Sequence, residues 1–518
     1  MTQLWSADNR VPLFVFGLTT GIALTAAVQY LVTSISGTPL NLRAAADEDR
    51  DHRSSSSSSS QQGPVAQRKN VETATQRLER QFTISTAMLH NLVKAFIRDM
   101  ERGLKRDNAV MKMIPSYVIR RPTGDETGTY LALDLGGSNF RVCECTLAGK
   151  GQVRIRQKKF VVSEELKTGT ATALFDYFAE CVSSTMDGFG LDKQAGTKLG
   201  FTFSFPVQQQ ALNRGTLYHW TKGFTAEGVV GQDVVGLLDA ALRRKGLKID
   251  VTALVNDTVG TLISHAYLDT ATTMGVILGT GTNAAYVERL ENIPKWTGPK
   301  CPTNEMIINM EWGAWGQDGI ILPTTDYDVK VDRASPNPQK QSYEKMISGL
   351  YLGELTRYII VDLISTGELF AGRRCEALEV QHSFDTANMS RIERDHSMEL
   401  TDTRSILEDL YAVKKTTLAD RRLVKRICEL IGTRAARMAA VGIASVVTKT
   451  NKLAGTTVAV DGSVFEHYPH FANRMRDALR ELLGINAEGI VLAQARDGSG
   501  QGAALIAALA DHGEEKLQ

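Results

Sequence analysis

Four glycine-bearing turns, each set against a run of β-forming residues, constrain this chain more than any other feature. The first is Asp134-Leu135-Gly136-Gly137-Ser138-Asn139, lying between expected strands at 128–133 and 140–147. A further basic, alternating run at 153–162 reads as the next strand. The second turn, Gly279-Thr280-Gly281-Thr282-Asn283, lies between strands expected at 274–278 and 284–288. Asp461-Gly462-Ser463 follows the run 457–460, and Asp497-Gly498-Ser499-Gly500 opens a helix expected at 501–509. Glycine lets backbone N–H groups approach an anion closely, hydroxyl and amide side chains add donors, and an acidic residue can hold a metal through water. One such turn would serve equally well as a plain hairpin. Several of them, each tied to a β-rich run, imply a nucleotide held between two related lobes. The GxxxxGK[ST] pattern and the protein-kinase motif set do not occur, which argues against both of those architectures.

Length and composition set the frame for those lobes. The 518 residues suit two lobes with additions, and 43% hydrophobic with 23% charged residues allows a large core. A net charge of +1 creates no global field for nucleic acid or acidic partners, so no nucleic-acid partner is expected. Six scattered cysteines, Cys143, Cys145, Cys181, Cys301, Cys375 and Cys428, lack metal-site spacing and read as reduced thiols. The amino terminus is of a different kind. After a ten-residue tail, residues 11–35 carry no charge and are long enough to span a bilayer as a helix. Residues 36–70 contain a charge cluster and an unbroken serine run, Ser54 to Ser60, and read as a disordered linker. The expectation is an anchor, a tether and a folded body starting near Asn70, with helices over 71–106 broken near Thr83 or Ser85.

Within the body, residues 201–224 combine a buried Ser204-Phe205-Pro206 turn with Trp220-Thr221-Lys222-Gly223-Phe224. Polar groups in an apolar frame suit a neutral ligand with many hydroxyls; the plainer reading is a strand, a loop and a second strand. Residues 251–255 form a strand ending in Asn256-Asp257, with a helix expected over 258–267. Asp257 then emerges at a strand end, although Asp or Asn before a helix is most often only an N-cap. Glu311, in Asn309-Met310-Glu311-Trp312-Gly313, and Glu344 add carboxylates, each of which can accept from adjacent sugar hydroxyls.

The motifs LDLGGSNFRV, LGFTFSFP, WTKGF, VNDTVGTL, GTGTNAAY, NMEWG, YEKMISGLYLGE, VAVDGSVFEHYP and DGSGQGAALIAAL occur in this order over residues 70–510. In that set the chain resembles the eukaryotic hexokinases, especially the fungal ones. The resemblance implies the α/β, two-lobed actin-like, ribonuclease H-like ATPase fold. Residues 71–256 would hold the leading helices and small lobe, and 257–510 the large lobe, with the final helix returning to the small lobe. It implies ATP and Mg2+ as cofactors and a hexose phosphorylated at its 6-hydroxyl. Asp257 would be the general base, and Ser204, Thr221, Lys222, Asn256, Asn283, Glu311 and Glu344 would hold the sugar, with Lys222 also near the reacting phosphoryl. Asp134, Leu135, Gly136, Gly137, Ser138, Asn139 and Arg141 would cradle phosphates, with Asp134 holding Mg2+ through water. Thr280 and Gly281 would meet the phosphates from the other lobe. Gly349, Thr386 and Ser463 would line the adenosine side, with Lys159 as a further nucleotide contact. Ser138 stands where the family usually has threonine, and Val207 where a small residue or cysteine often follows Ser-Phe-Pro. The expected protein is a monomer or weak homodimer, anchored to a membrane with its body in the cytosol, the mitochondrial outer membrane being one such surface. The alternative is a non-catalytic, membrane-tethered sugar sensor.

Overall fold

The computed structural model describes residues 72–136, 139–298 and 303–514. The expected membrane helix at 11–35, the linker at 36–70, Gly137, Ser138 and Cys301 lie outside the described residues.

Two sheets organise the body, with strands numbered here in chain order. The first holds β2 (Thr127–Leu135), β3 (Asn139–Ala148), β4 (Val153–Val161), β5 (Thr197–Phe203) and β8 (Ile249–Val255), in the order β4-β3-β2-β5-β8. β4, β3 and β2 are antiparallel neighbours, whereas β2-β5 and β5-β8 are parallel. The second sheet runs β1 (Ile114–Pro115), β11 (Glu305–Asn309), β10 (Thr282–Arg289), β9 (Thr272–Leu278), β12 (Thr456–Asp461) and β13 (Ile490–Gln494). A hairpin of β6 (Val207–Ala211) and β7 (Arg214–Leu217) stands apart from both. These two sheets are the frames of the two lobes.

Two helices lie between the sheets: Asp257–Leu268 and the final helix Gly498–Glu514. Their apolar faces share one core with residues of both sheets, including Ala132 and Cys145 on one side and Ala285 and Ile307 on the other. Small residues permit the crossing. A Cβ on Gly502 would lie 2.1 Å from the Gly260 carbonyl oxygen, and one on Gly200 would lie 2.1 Å from that of Ala503. The final helix therefore packs on the first sheet, as expected, although it follows β13 of the second.

The large lobe's core is built around the helix Leu418–Lys449. This helix is long and apolar enough to cross a membrane, yet its apolar stretch is buried among the helices around it. Its buried Arg434 meets Asp328 in a bidentate pair at 2.7 and 2.8 Å, so this guanidinium is compensated in the interior. The five described cysteines are buried free thiols.

Several elements differ in detail from the expectation. The leading helices are Ala74–Phe82 and Thr86–Lys105, so both Thr83 and Ser85 mark the break: Thr83 ends the first and Ser85 caps the second. β2 continues through Asp134 and Leu135, because pairing with β3 on one side and β5 on the other keeps both residues extended. The final helix starts at Gly498, not at 501. Residues 201–224 are not strand, loop and strand: β5 leads into the β6–β7 hairpin, and Thr221–Phe224 is a tight turn.

Candidate active site

The turn that carries Asp257 follows from one cap. Asn256 takes extended backbone angles after β8, and its Oδ1 accepts from the Thr258 N–H at 3.0 Å. Such a cap stabilises a helix by about 1 kcal/mol. Because Asn256 is the N-cap, Asp257 is the first residue of the helix rather than the cap. Its Oδ1 accepts from the Thr258 N–H at 2.9 Å, at the amino-terminal end of the helix.

The second sheet brings the polar partners to this point. Ala285 pairs with Asn309 in the β10–β11 register, so Asn283 and Glu311 fall at the same end of the two strands. Asn283 Nδ2 donates to Asn309 Oδ1 at 2.8 Å and to Glu311 Oε1 at 3.3 Å, and lies 3.4 Å from Asn256 Oδ1. Asn309 Nδ2 donates to Glu311 Oε1 at 2.9 Å. Glu311 itself has φ 53°, a left-handed conformation rare outside glycine, which turns its side chain out of the strand direction. Burial pushes the Glu311 carboxyl above its ordinary range, and Asp257 adds to the rise.

Glu344 arrives from the helix Ser342–Ile347 and accepts from the Thr282 N–H at 2.9 Å. A Cβ on Gly281 would lie 2.7 Å from its Oε2, so glycine is needed for this approach. Burial pushes the Glu344 carboxyl up to about 6. Aromatic neighbours fix both carboxylates. Trp312 beside Glu311 and Tyr343 beside Glu344 pack edge to face at 5.8 Å. Trp312 donates its indole N–H to Thr282 Oγ1 at 3.0 Å, and Tyr343 its hydroxyl to the Met438 carbonyl at 2.6 Å.

The small lobe supplies the opposite wall. Phe203, Phe205, Trp220 and Phe224 pack together, with Phe205 and Trp220 centroids 4.9 Å apart. In the turn they support, Lys222 (φ 55°) and Gly223 (φ 81°) are both left-handed, and the Phe224 N–H closes on the Thr221 carbonyl at 3.1 Å. Lys222 Nζ donates to the buried Ser204 carbonyl at 2.8 Å, and the Ser204 N–H donates to the Leu135 carbonyl at 3.2 Å. The ammonium acts electrostatically on both Glu311 and Glu344, holding each below where burial alone would place it.

A second group of polar side chains centres on Asp134. Strand register places Asp134, Arg141 and Lys159 abreast on β2, β3 and β4. Arg141 Nε donates to Asp134 Oδ2 at 2.9 Å, Nη2 contacts the same oxygen, and Ser499 Oγ donates to it at 2.8 Å. Arg141 also pairs with the exposed Asp497. Burial works against the Arg141 charge, and Asp134 and Asp497 more than offset it. Among the described residues, three contacts to Asp134 are made and all fall on Oδ2. A Cβ on Gly136 would meet nothing within 4 Å among the described residues. A buried carboxylate bonded through Oδ2, beside Gly136, fits a metal held through water.

Opposite it, the second loop is braced by the helix Gly349–Ser365: the Gly349 N–H donates to Gly279 at 2.8 Å and that of Leu350 to Thr280 at 3.2 Å. Thr280 is exposed. Thr386 uses its hydroxyl on this brace, donating to the Gly349 carbonyl at 2.6 Å and accepting from the Gly353 N–H at 2.9 Å. Ser463 is exposed at the start of the helix Ser463–His467, and Asn139 and Lys159 are exposed on their strands.

Comparison with known proteins decides the family. Residues 74–267 and 273–509 match the two hexokinase family models. Hexokinase-1 of Schizosaccharomyces pombe is 41% identical over 449 residues, covering 86% of this chain and 92% of its own. The chain belongs to the hexokinase family. The hexokinase of Emericella nidulans is 42% identical over 450 residues, covering 85% of this chain and 91% of its own. A solved hexokinase from Schistosoma mansoni complexed with glucose superposes with a TM-score of 0.79 at 40% identity, covering 84% of this chain and 99% of that one. These likenesses establish the two-lobed hexokinase fold.

Measured against the sequence reading, the structure joins Asn256, Asn283, Glu311 and Glu344 into one cluster, with Asp257 and Lys222 acting on it electrostatically. It ties Ser204 to Lys222 and braces Thr386 away from solvent-facing duty. Three participants went unassigned in sequence. Ser499 and Asp497 were visible only as turn residues, and Asn309 was passed over inside NMEWG. Asn309 ends β11 two residues before Glu311, whose left-handed backbone brings the two side chains together, a meeting that strand alternation does not announce.

Proposed function

We propose that this hexokinase transfers the γ-phosphoryl group of ATP to the 6-hydroxyl of glucose or a related hexose. The observation that carries the reading is the cluster itself: three carboxylates, two amides and an ammonium converge where the ends of β8, β10 and β11 meet the Thr221–Phe224 turn. In such a site Glu311, Glu344, Asn256 and Asn283 bind and orient hydroxyls, each carboxylate accepting from O–H donors. Asp257 takes the proton from the 6-hydroxyl as the oxygen attacks. Lys222 sets positive charge beside the phosphoryl group in transit. Phosphoryl transfer needs mainly such positioning and charge neutralisation. Asp134 would hold Mg2+ through water, and when bound the ion would neutralise charge on the phosphates. Arg141 and Asn139 would meet the phosphates from one lobe and Thr280 and Gly281 from the other, so that lobe closure on the sugar limits transfer to water.

The test is glucose-dependent ADP release by the full chain and its Asp257→Ala variant. Loss of the base should lower turnover by about 10²–10⁴-fold with glucose binding retained. A wild-type protein that binds glucose yet turns over no faster than the variant is a sensor, and the kinase reading is then wrong. The uncharged run 11–35 also supports a membrane tether, with the body in the cytosol beside ATP and hexose, for example at the mitochondrial outer membrane. Alkaline carbonate should leave such a protein in the membrane pellet, and its release into the supernatant would refute the tether.

A further inference from the structure

The hydrogen bonds around Asn309 have a direction. An ionised carboxylate only accepts, so Glu311 Oε1 compels Asn309 to present its NH2 group, at 2.9 Å. The Asn309 carbonyl must then face Asn283, which presents its own NH2 group at 2.8 Å. That choice turns Asn283 Oδ1 to the Ala284 N–H at 2.8 Å and sets its NH2 3.4 Å from Asn256 Oδ1. Asn256 Oδ1 is in turn the acceptor that caps the Asp257 helix. Asn309 is buried, at 8% exposure, at the end of β11, where the pairing with β10 holds its backbone. Each link fixes which atom of the next side chain is donor and which is acceptor, with no rotation free to reverse it.

We propose that Asn309 is a positioning residue for hexose recognition, which locks the Glu311 carboxylate and the Asn283 amide in the orientation that meets the sugar. The proposal rests on the hexose-kinase reading above, but glucose binding measured directly keeps the two apart. It predicts a selective defect. In Asn309→Leu, of similar volume, Glu311 loses a donor and Asn283 loses the nearest acceptor of its NH2 group, keeping Glu311 Oε1 at 3.3 Å. The loss of a hydrogen bond to a charged group should weaken glucose binding about ten- to a hundredfold. The Michaelis constant for ATP and the melting temperature without sugar should change little.

A second variant tests orientation rather than packing. Asn309→Asp keeps the shape but sets a carboxylate against Glu311, in a pocket already holding Asp257, Glu344 and the Lys222 ammonium. At pH 8 it should bind glucose as poorly as Asn309→Leu. As the pH falls toward 5.5 the new carboxyl takes up a proton and can donate to Glu311, so its affinity relative to wild type should recover. The experiment is calorimetric titration of the full chain and both variants with glucose from pH 5.5 to 8, alongside turnover at varied ATP. Glucose affinity within threefold of wild type in both variants overturns the proposal. So does a parallel loss of glucose affinity, ATP affinity and melting temperature, or an Asn309→Asp defect that ignores pH. If wild type binds glucose without turning it over, the kinase reading falls while Asn309 is still judged by binding. If wild type does not bind glucose, both fall.

Discussion

Glu344 is held in a place that suits the ligand better than it suits the fold. Burial raises its carboxyl from the ordinary 4.5 to about 6. At about 1.4 kcal/mol for each pH unit, this costs the charged form about 2 kcal/mol, trimmed to about 1–2 kcal/mol by its half-buried position. The sign follows from proton uptake. Between about pH 4.5 and 6 the native protein holds a proton that the unfolded chain has already released, so stability falls as pH rises through this window. Above it the full penalty persists. Glu344→Gln removes the charge but keeps an oxygen to accept from the Thr282 N–H. The variant should therefore be more stable than wild type at pH 7.5 by about 1–2 kcal/mol, with the gain shrinking toward zero near pH 4.5. Its glucose affinity should fall about ten- to a hundredfold, because a charge-assisted hydrogen bond becomes a neutral one. Thermal melts of both proteins from pH 5 to 8, with and without glucose, measure both effects. A variant no more stable than wild type at pH 7.5, or equally advantaged at pH 5, refutes the reasoning.

Two further substitutions probe other parts of the molecule. Gly502→Ala sets a methyl group 2.1 Å from the Gly260 carbonyl oxygen, where backbone meets backbone across the two crossing helices. It should destabilise the protein by at least the 1–3 kcal/mol typical of overpacking, read as a lowered melting temperature; an unchanged melt would show that the crossing can relax. Arg141→Ala removes the partner of Asp134 and Asp497, so the Michaelis constant for ATP should rise about tenfold or more while that for glucose moves less. Equal changes in both constants would place Arg141 outside the nucleotide site.

Strand alternation and the glycine turns made most of the first sheet and β9, β10 and β12 of the second legible, because period-two apolar runs and φ-permissive residues leave few other local structures, whereas β1, β11 and β13 were not read. The catalytic turn was legible for the same local reason, apart from which of Asn256 and Asp257 caps the helix. That was settled only when Asn256 Oδ1 met the Thr258 N–H. Residues 220–224 were harder, since the left-handed backbone of Lys222 depends on the aromatic packing of Phe205, Trp220 and Phe224. Nothing in local propensity announces a lysine at φ 55°.

By itself, then, the sequence determined which residue types could do the chemistry, several of the strands that carry them, and the two loops of glycine and hydroxyl residues. Tertiary structure alone decided how they meet. Glu311 and Glu344 come from separate elements, and their high carboxyl values arise from burial, a property of the packed molecule. Arg141 reaches Asp497 across 356 positions because the final helix returns through the gap between the sheets, where glycines let backbones touch. Asn309 gained its place because sheet pairing between β10 and β11 set its amide between Asn283 and Glu311. Local preference is encoded residue by residue, whereas the direction of a hydrogen bond between distant side chains exists only once the chain has closed around it.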